Sequence, residues 1–117
     1  MINLKPQVYK KLKEISDVEF SYFYPEKWIK GINMISYYEQ DNSEAQQADD
    51  EEYSSNIAFQ IDIWCDTSSE TSNLAIEVDC KMKELGFKRT MAHDLKEDGA
   101  MKHHKTMRFE KEEVLDE

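Results

Sequence analysis

Glycine and proline are nearly missing from this chain of 117 residues, which holds three of the first and two of the second. The glycines, at 31, 86 and 99, all fall where turns are expected, so none is left to build a glycine-rich loop around a phosphate. Cysteine is scarce too. Cys65 and Cys80 allow one disulfide at most and lack the spacing of a metal site, so they read as free thiols of a reducing compartment. No apolar run approaches the ~20 residues of a membrane span. The N-terminus carries no charged, apolar, small-residue leader pattern, and cytoplasmic synthesis is the expectation. Basic residues are outnumbered, 15 against 25 acidic ones, for a net charge of −10. Such a balance argues against a broad phosphate-binding surface and hence against specific nucleic-acid binding, although DNA can pass a negative wall without sticking. Hydrophobic residues are 39% of the chain, low for a globular protein, but they are gathered in periodic blocks. One folded domain over residues 1–117, with polar loops, is therefore expected.

The clearest block is Ser54 to Cys65. Ile57, Phe59, Ile61 and Ile63 alternate with Ala58, Gln60, Asp62 and Trp64, the period of a strand with one face in a core, and the segment is expected to lie centrally in a sheet. Thr67-Ser-Ser-Glu70 then reads as a capping box opening the strongest helix. In that helix Leu74, Val78, Met82 and Leu85 repeat at helical spacing, and Gly86 supplies the left-handed stop. An earlier helix is expected from about Pro6 to Ser16, with Val8, Leu12 and Ile15 on one face. Val18 to Tyr24 alternates as an aromatic strand stopped by Pro25, and Ile32 to Glu39 follows as another. Phe87 to Asp94 and Met101 to Glu110 complete the pattern as a hairpin, with Phe87, Met91 and Leu95 on one parity and Met107 and Phe109 inward. The fold class expected is α+β, order α-β-β-β-α-β-β: a mainly antiparallel sheet of four to five strands with two helices on one face.

Two segments are too polar to order by burial. Residues from about 40 to 52 form an acidic insertion containing Glu44, Asp49, Asp50, Glu51 and Glu52, read as a mobile hairpin loop that could touch a partner or a lumen. Residues from about 111 to 117 read as a short acidic tail that frays. Large side chains occupy both parities of the strand from Ile32, and both helices are expected on the other side of the sheet. Ile35, Tyr37 and Trp64 are therefore expected on an uncovered sheet face, as interface residues of an assembling domain.

No catalytic set can be assembled. His103 and His104, adjacent on a strand, point to opposite faces and cannot share a metal easily. His93 could meet His103 across the hairpin, but a third ligand is missing, and surface histidines are the plainer reading. Asp62 and Asp66 flank Cys65, and acids raise rather than lower a thiol pKa, so a nucleophilic cysteine is rejected. Met82, Met91, Met101 and Met107 read as core filler. No metal, cofactor or enzymatic activity is expected.

The order of several short motifs resembles a known family. Pro6, Val8 and Tyr9 open the first helix, and an aromatic strand ends in Tyr24-Pro25. An Ile-x-Tyr strand follows (Ile35 to Tyr37), then Gln-Ile-Asp-Ile-Trp (Gln60 to Trp64). A helix end Met-x-x-Leu-Gly-Phe-x-Arg (Met82 to Arg89) and a final His-Lys-x-x-Arg-Phe (His104 to Phe109) close the series. This order is similar to the tail terminator or tail completion proteins of long-tailed bacteriophages and their prophages, the head–tail joining group. The chain departs from it at Asn33-Met34, where the family often carries Pro and Val. The resemblance implies a non-catalytic ring, typically of six subunits, that caps the tail tube and docks it to the head connector while DNA passes through. It further implies assembly in the cytoplasm of a bacterial host and a final place in the virion tail. The alternative class is an acidic DNA mimic or other small inhibitor of a host or phage factor, which the net charge suits.

Overall fold

In the computed structural model, residues 1–25, 29–48, 51–95 and 102–115 are described. Seven elements follow the expected order: α1 (Lys5–Leu12), β1 (Val18–Tyr22), β2 (Asn33–Ala48), β3 (Glu51–Cys65), α2 (Ser68–Glu84), β4 (Lys88–Leu95) and β5 (His103–Val114). The fold is α+β. One five-stranded sheet runs β1-β2-β3-β5-β4, with β3 central. All pairings are antiparallel except β1 with β2, which is parallel from Val18↔Asn33 to Tyr22↔Tyr37. Just after β1, Phe23 takes φ 73 and its amide bonds Tyr37 O at 3.0 Å.

α1 ends earlier than its apolar spacing predicts. After Leu12 the amides of Glu14 and Ile15 bond three residues back, to the carbonyls of Lys11 and Leu12. Asp17, at φ 61, then turns the chain into β1, a conformation that Asp tolerates better than most residues. Ile15 is still buried, so the periodicity reports burial beyond the helix itself. α2 matches expectation at both ends. Thr67 Oγ1 accepts from the Glu70 amide at 3.1 Å and donates to the Glu70 carboxylate at 2.8 Å. At the other end Gly86 (φ 90) lets the Phe87 amide reach Met82 O and its own amide reach Lys83 O, a Schellman closure.

Both helices cover one face of the sheet. Val8 and Leu12 of α1 and Leu74, Val78 and Met82 of α2 share a core with Ile57, Phe59, Ile61 and Ile63 of β3 and with Met107 and Phe109 of β5. Lys11–Glu84 (2.8 Å) and Lys81–Glu14 (3.0 Å) tie the helices to each other.

Three expectations are corrected. The acidic segment is not a loop: β2 and β3 keep pairing through Asp41↔Ala58 and Glu44↔Ser55 to Ala48↔Glu51, with register shifts after Glu39 and Glu44. Backbone pairing, not burial, orders it, and polarity alone does not report backbone pairing. The acidic tail is likewise partly in the sheet, since Lys111–Val114 pair with β3 as far as Ser54↔Val114, and the Leu115 amide bonds Tyr53 O at 2.8 Å. Finally, the β4 parity breaks at a bulge between Arg89 and Met91, so Met91 lies opposite Arg108 and Ala92 opposite Met107.

Candidate functional site

Cross-strand partners share a sheet face, so register decides which side chains meet. Ile35 pairs with Ile63 and Tyr37 with Ile61, which puts both on the helix-covered face. They belong to the main core, Ile35 fully buried and Tyr37 8% exposed. The expectation that they lie on an uncovered face is wrong. Alternation along β2 gives its parity, but which parity faces the helices is set by a register that one strand does not encode. Trp64 does lie on the opposite face, beside Met34 and His104, yet it is only 2% exposed. Its ring stacks on His104 at 4.3 Å, and Tyr24 meets it edge-on at 5.8 Å. The second face is thus covered within the chain. Phe23 stacks on Tyr38 at 5.0 Å, and the buried Lys102 ammonium bonds Ile32 O (2.7 Å) and Asp66 Oδ1 (2.9 Å). Asp66 Oδ2 in turn accepts from the Gly31 amide at 2.6 Å, and these bonds hold the Asp66 carboxyl below its usual pKa, the Lys102 contact first.

Beneath this cover runs a polar row that sequence reading missed. Asp62 and His104 are both buried, with Asp62 Oδ1 2.7 Å from His104 Nε2. Gln60 donates to Asp62 Oδ2 at 3.1 Å and accepts from the Tyr38 hydroxyl at 2.8 Å. Ser36 and Thr106 flank Asp62 in the ladder, both buried, with hydroxyls that have no hydrogen-bond partner among the described residues. The surface reading of His104 is therefore corrected, while His103 is exposed. The available signal was an Asp and a Gln on one parity of the most apolar strand, which in a covered sheet need a buried partner.

A carboxylate–imidazole pair is two-thirds of a nucleophilic triad, and the nearby described candidates for the third member are Ser36 and Cys65. Ser36 makes no hydrogen bond to the imidazole. Cys65 is buried, and that burial, with the Glu70 charge adding to it, pushes its thiol up to about 12. The direction was expected, but the cause is desolvation before acidic neighbours. His93 lies opposite Thr106 and His103 opposite Cys65, so the two do not face each other across the hairpin. Among the described residues no group of three or more His, Cys, Asp or Glu is placed to hold a metal. No helix among them is long and apolar enough to cross a membrane.

The remaining feature is the arm formed by β2 from Asp41, β3 up to Ala58 and β5 from Glu110. Beyond Ile57 and Phe109 no described residue of it joins the apolar core. β1 stops opposite Tyr37 and β4 begins opposite Glu110, so neither outer edge of the arm has a neighbouring strand among the described residues. At ~3.3 Å per residue, Ser43 to Ala48 carries it roughly 16 Å past the core, within a molecule 53 Å long. Of the acidic residues singled out, Glu44 is exposed on the arm and accepts from Gln47. Glu51 and Glu52 lie on the β3 backbone, and Asp49 and Asp50 lie outside the described residues. No known protein family matches the chain, and no curated protein matches it either.

Proposed function

We propose that this chain is a non-catalytic structural subunit that closes into a ring, of about six copies, at the end of a long-tailed phage tail tube and joins the tube to the head connector. The observation that supports an assembling role is the arm: a laddered projection with open backbone edges of which, among the described residues, only Ile57 at its root joins the apolar core. An unpaired edge of this length invites aggregation unless charges guard it or a partner covers it. The charges are there, at Asp41, Glu44 and Glu112. The tail-specific part of the reading rests on the motif order from Pro6 to Phe109.

The test is solution mass across a concentration series, negative-stain imaging, and decoration of purified tail tubes. Rings with a central hole that bind tube ends support the reading. A protein that neither forms rings nor decorates tubes refutes it. One observation favours a second reading, an acidic inhibitor that mimics DNA: its carboxylates lie on a paired arm rather than a loose loop. A one-to-one complex with a basic DNA-binding protein, displaced by duplex DNA, would select it instead.

A further inference from the structure

The charge of this chain is strongly segregated. From Met1 to Lys13 there are four lysines and no acidic residue. Lys11 is bound to Glu14 and Glu84. Lys5, Lys10 and Lys13 are exposed and make no ion pair with any described residue. Two of these ammonium groups lie over aromatic rings instead, Lys5 5.4 Å from the Tyr22 centroid and Lys13 5.3 Å from that of Phe20. Between α1 and the outer edge of β1 is a cleft of about 390 Å³, lined by Tyr9, Lys13, Phe20, Tyr22 and Tyr37, with Glu19 as its one carboxylate. Tyr9 and Tyr22 of its lining are 45% and 41% exposed, and Phe23 (52%), edge-on to Tyr22, and Tyr24 (51%) continue the exposed aromatics around the sheet edge toward the second face. Large aromatics and cations gathered at one open corner have the composition of a binding hot spot for an acidic partner.

The same chain carries such a partner. On the arm, Asp41, Glu44 and Glu112 accept hydrogen bonds only from neutral groups, those of Ser43, Gln47 and Gln46. Val114 (51% exposed) and Leu115 (46%) add apolar area at the arm's β5 side. The arm's root touches the N-terminal segment, where Asn42 donates to Ile2 O at 2.7 Å. From there β2 stays paired to β3, through register shifts, as far as Ala48↔Glu51, which carries Glu44 further along the ladder than Glu39, whose amide touches the Tyr22 hydroxyl. Donor and acceptor surfaces are therefore different patches of one chain, complementary in charge and in apolar content, and a second copy can satisfy both.

We propose that the acidic arm of one copy docks in the α1/β1 corner of the next, its carboxylates meeting Lys5, Lys10 and Lys13 and its apolar side chains the exposed aromatics. The contact is heterologous, so it propagates from copy to copy and closes when the angle between copies allows. This rests on the assembling role proposed above and names the surfaces that would serve it.

The test is sedimentation velocity on the full chain at low and high salt, comparing three charge variants with the unaltered protein. K5E/K10E/K13E and D41K/E44K/E112K should each weaken self-association at least tenfold, and combining all six changes in one chain should restore it. High salt should weaken the unaltered protein in the same direction. All six positions are exposed, and unchanged urea midpoints check that folding is intact. Should a reversal variant fail to fold, K5Q/K10Q/K13Q with the salt series takes its place. Association unaffected in both triple variants, failure of the sixfold swap to restore it, or an unaltered protein monomeric at every concentration would each overturn the contact. Tail-tube decoration reads the tail role separately. Variants that still form rings and bind tubes would refute this contact alone, whereas intact arm-to-corner association without tube binding would refute the tail role alone.

Discussion

Replacing Trp64 with alanine separates a core role from an interface role. The indole is 2% exposed, stacked on His104 at 4.3 Å and edge-on to Tyr24 at 5.8 Å, and its strand position pairs with Met34 and His104. Truncation removes that stack and leaves a cavity above the Asp62–His104 pair, where it would admit water to a buried carboxylate. A large aromatic truncated in a core costs roughly 3–5 kcal/mol, the lost transfer energy plus the unfilled cavity. Against a total stability of about 5–15 kcal/mol for a domain of this size, that is a large share. With a urea slope near ~1.5 kcal/mol/M, a loss of about 4 kcal/mol moves the midpoint down by roughly 2.5 M. Trp64→Phe keeps part of the stacking surface and should cost only about 1–2 kcal/mol. The assay is urea denaturation followed by far-ultraviolet circular dichroism, with particle mass measured on the folded fraction. Trp64→Phe should lower the midpoint and leave particle mass as it was. An unchanged midpoint with altered mass would refute the argument and return Trp64 to an interface.

Two further outcomes follow from the titrating groups. Glu14 and Glu84 are held below their usual pKa by hydrogen bonds from Lys81 and Lys11 respectively, and Asp66 by Lys102. Their folded pKa values lie below the unfolded ones, so their stabilisation is complete above about pH 4.5 and is lost as pH falls through the folded values. Lys11 and Lys81 are raised by the same contacts, so their share is complete below 10.5 and lost above it. The urea midpoint should fall from about pH 4.5 downward, and Glu14→Gln with Glu84→Gln should flatten that fall. An unaltered slope in the double variant would show that the helix–helix ion pairs contribute nothing. For the thiols, Cys80 is exposed whereas Cys65 is buried and pushed up to about 12. A thiol reagent at pH 8 should label Cys80 at once and Cys65 only on unfolding; two fast-labelling thiols would contradict the packing around β3.

By itself the sequence determined every element whose signal is local. The alternation in Ile57–Ile63, the Thr67–Glu70 cap and the Gly86 stop each depend on contacts within a few residues, and each stands in the structure as read. The order α-β-β-β-α-β-β and the central place of β3 follow from those signals. Tertiary structure alone decided what depends on register. It placed Ile35 and Tyr37 under the helices because they pair with Ile63 and Ile61, a match between strands that neither strand encodes alone. It joined Asp62 to His104 across 42 residues of chain. It also drew the acidic segment from Asp41 into an arm, since backbone hydrogen bonds between paired strands are available to any side chain and leave no hydrophobic trace. The lysines from Lys5 to Lys13 are plain in the sequence, but only packing in three dimensions gives Lys11 two carboxylates and leaves Lys5, Lys10 and Lys13 without an ion pair among the described residues.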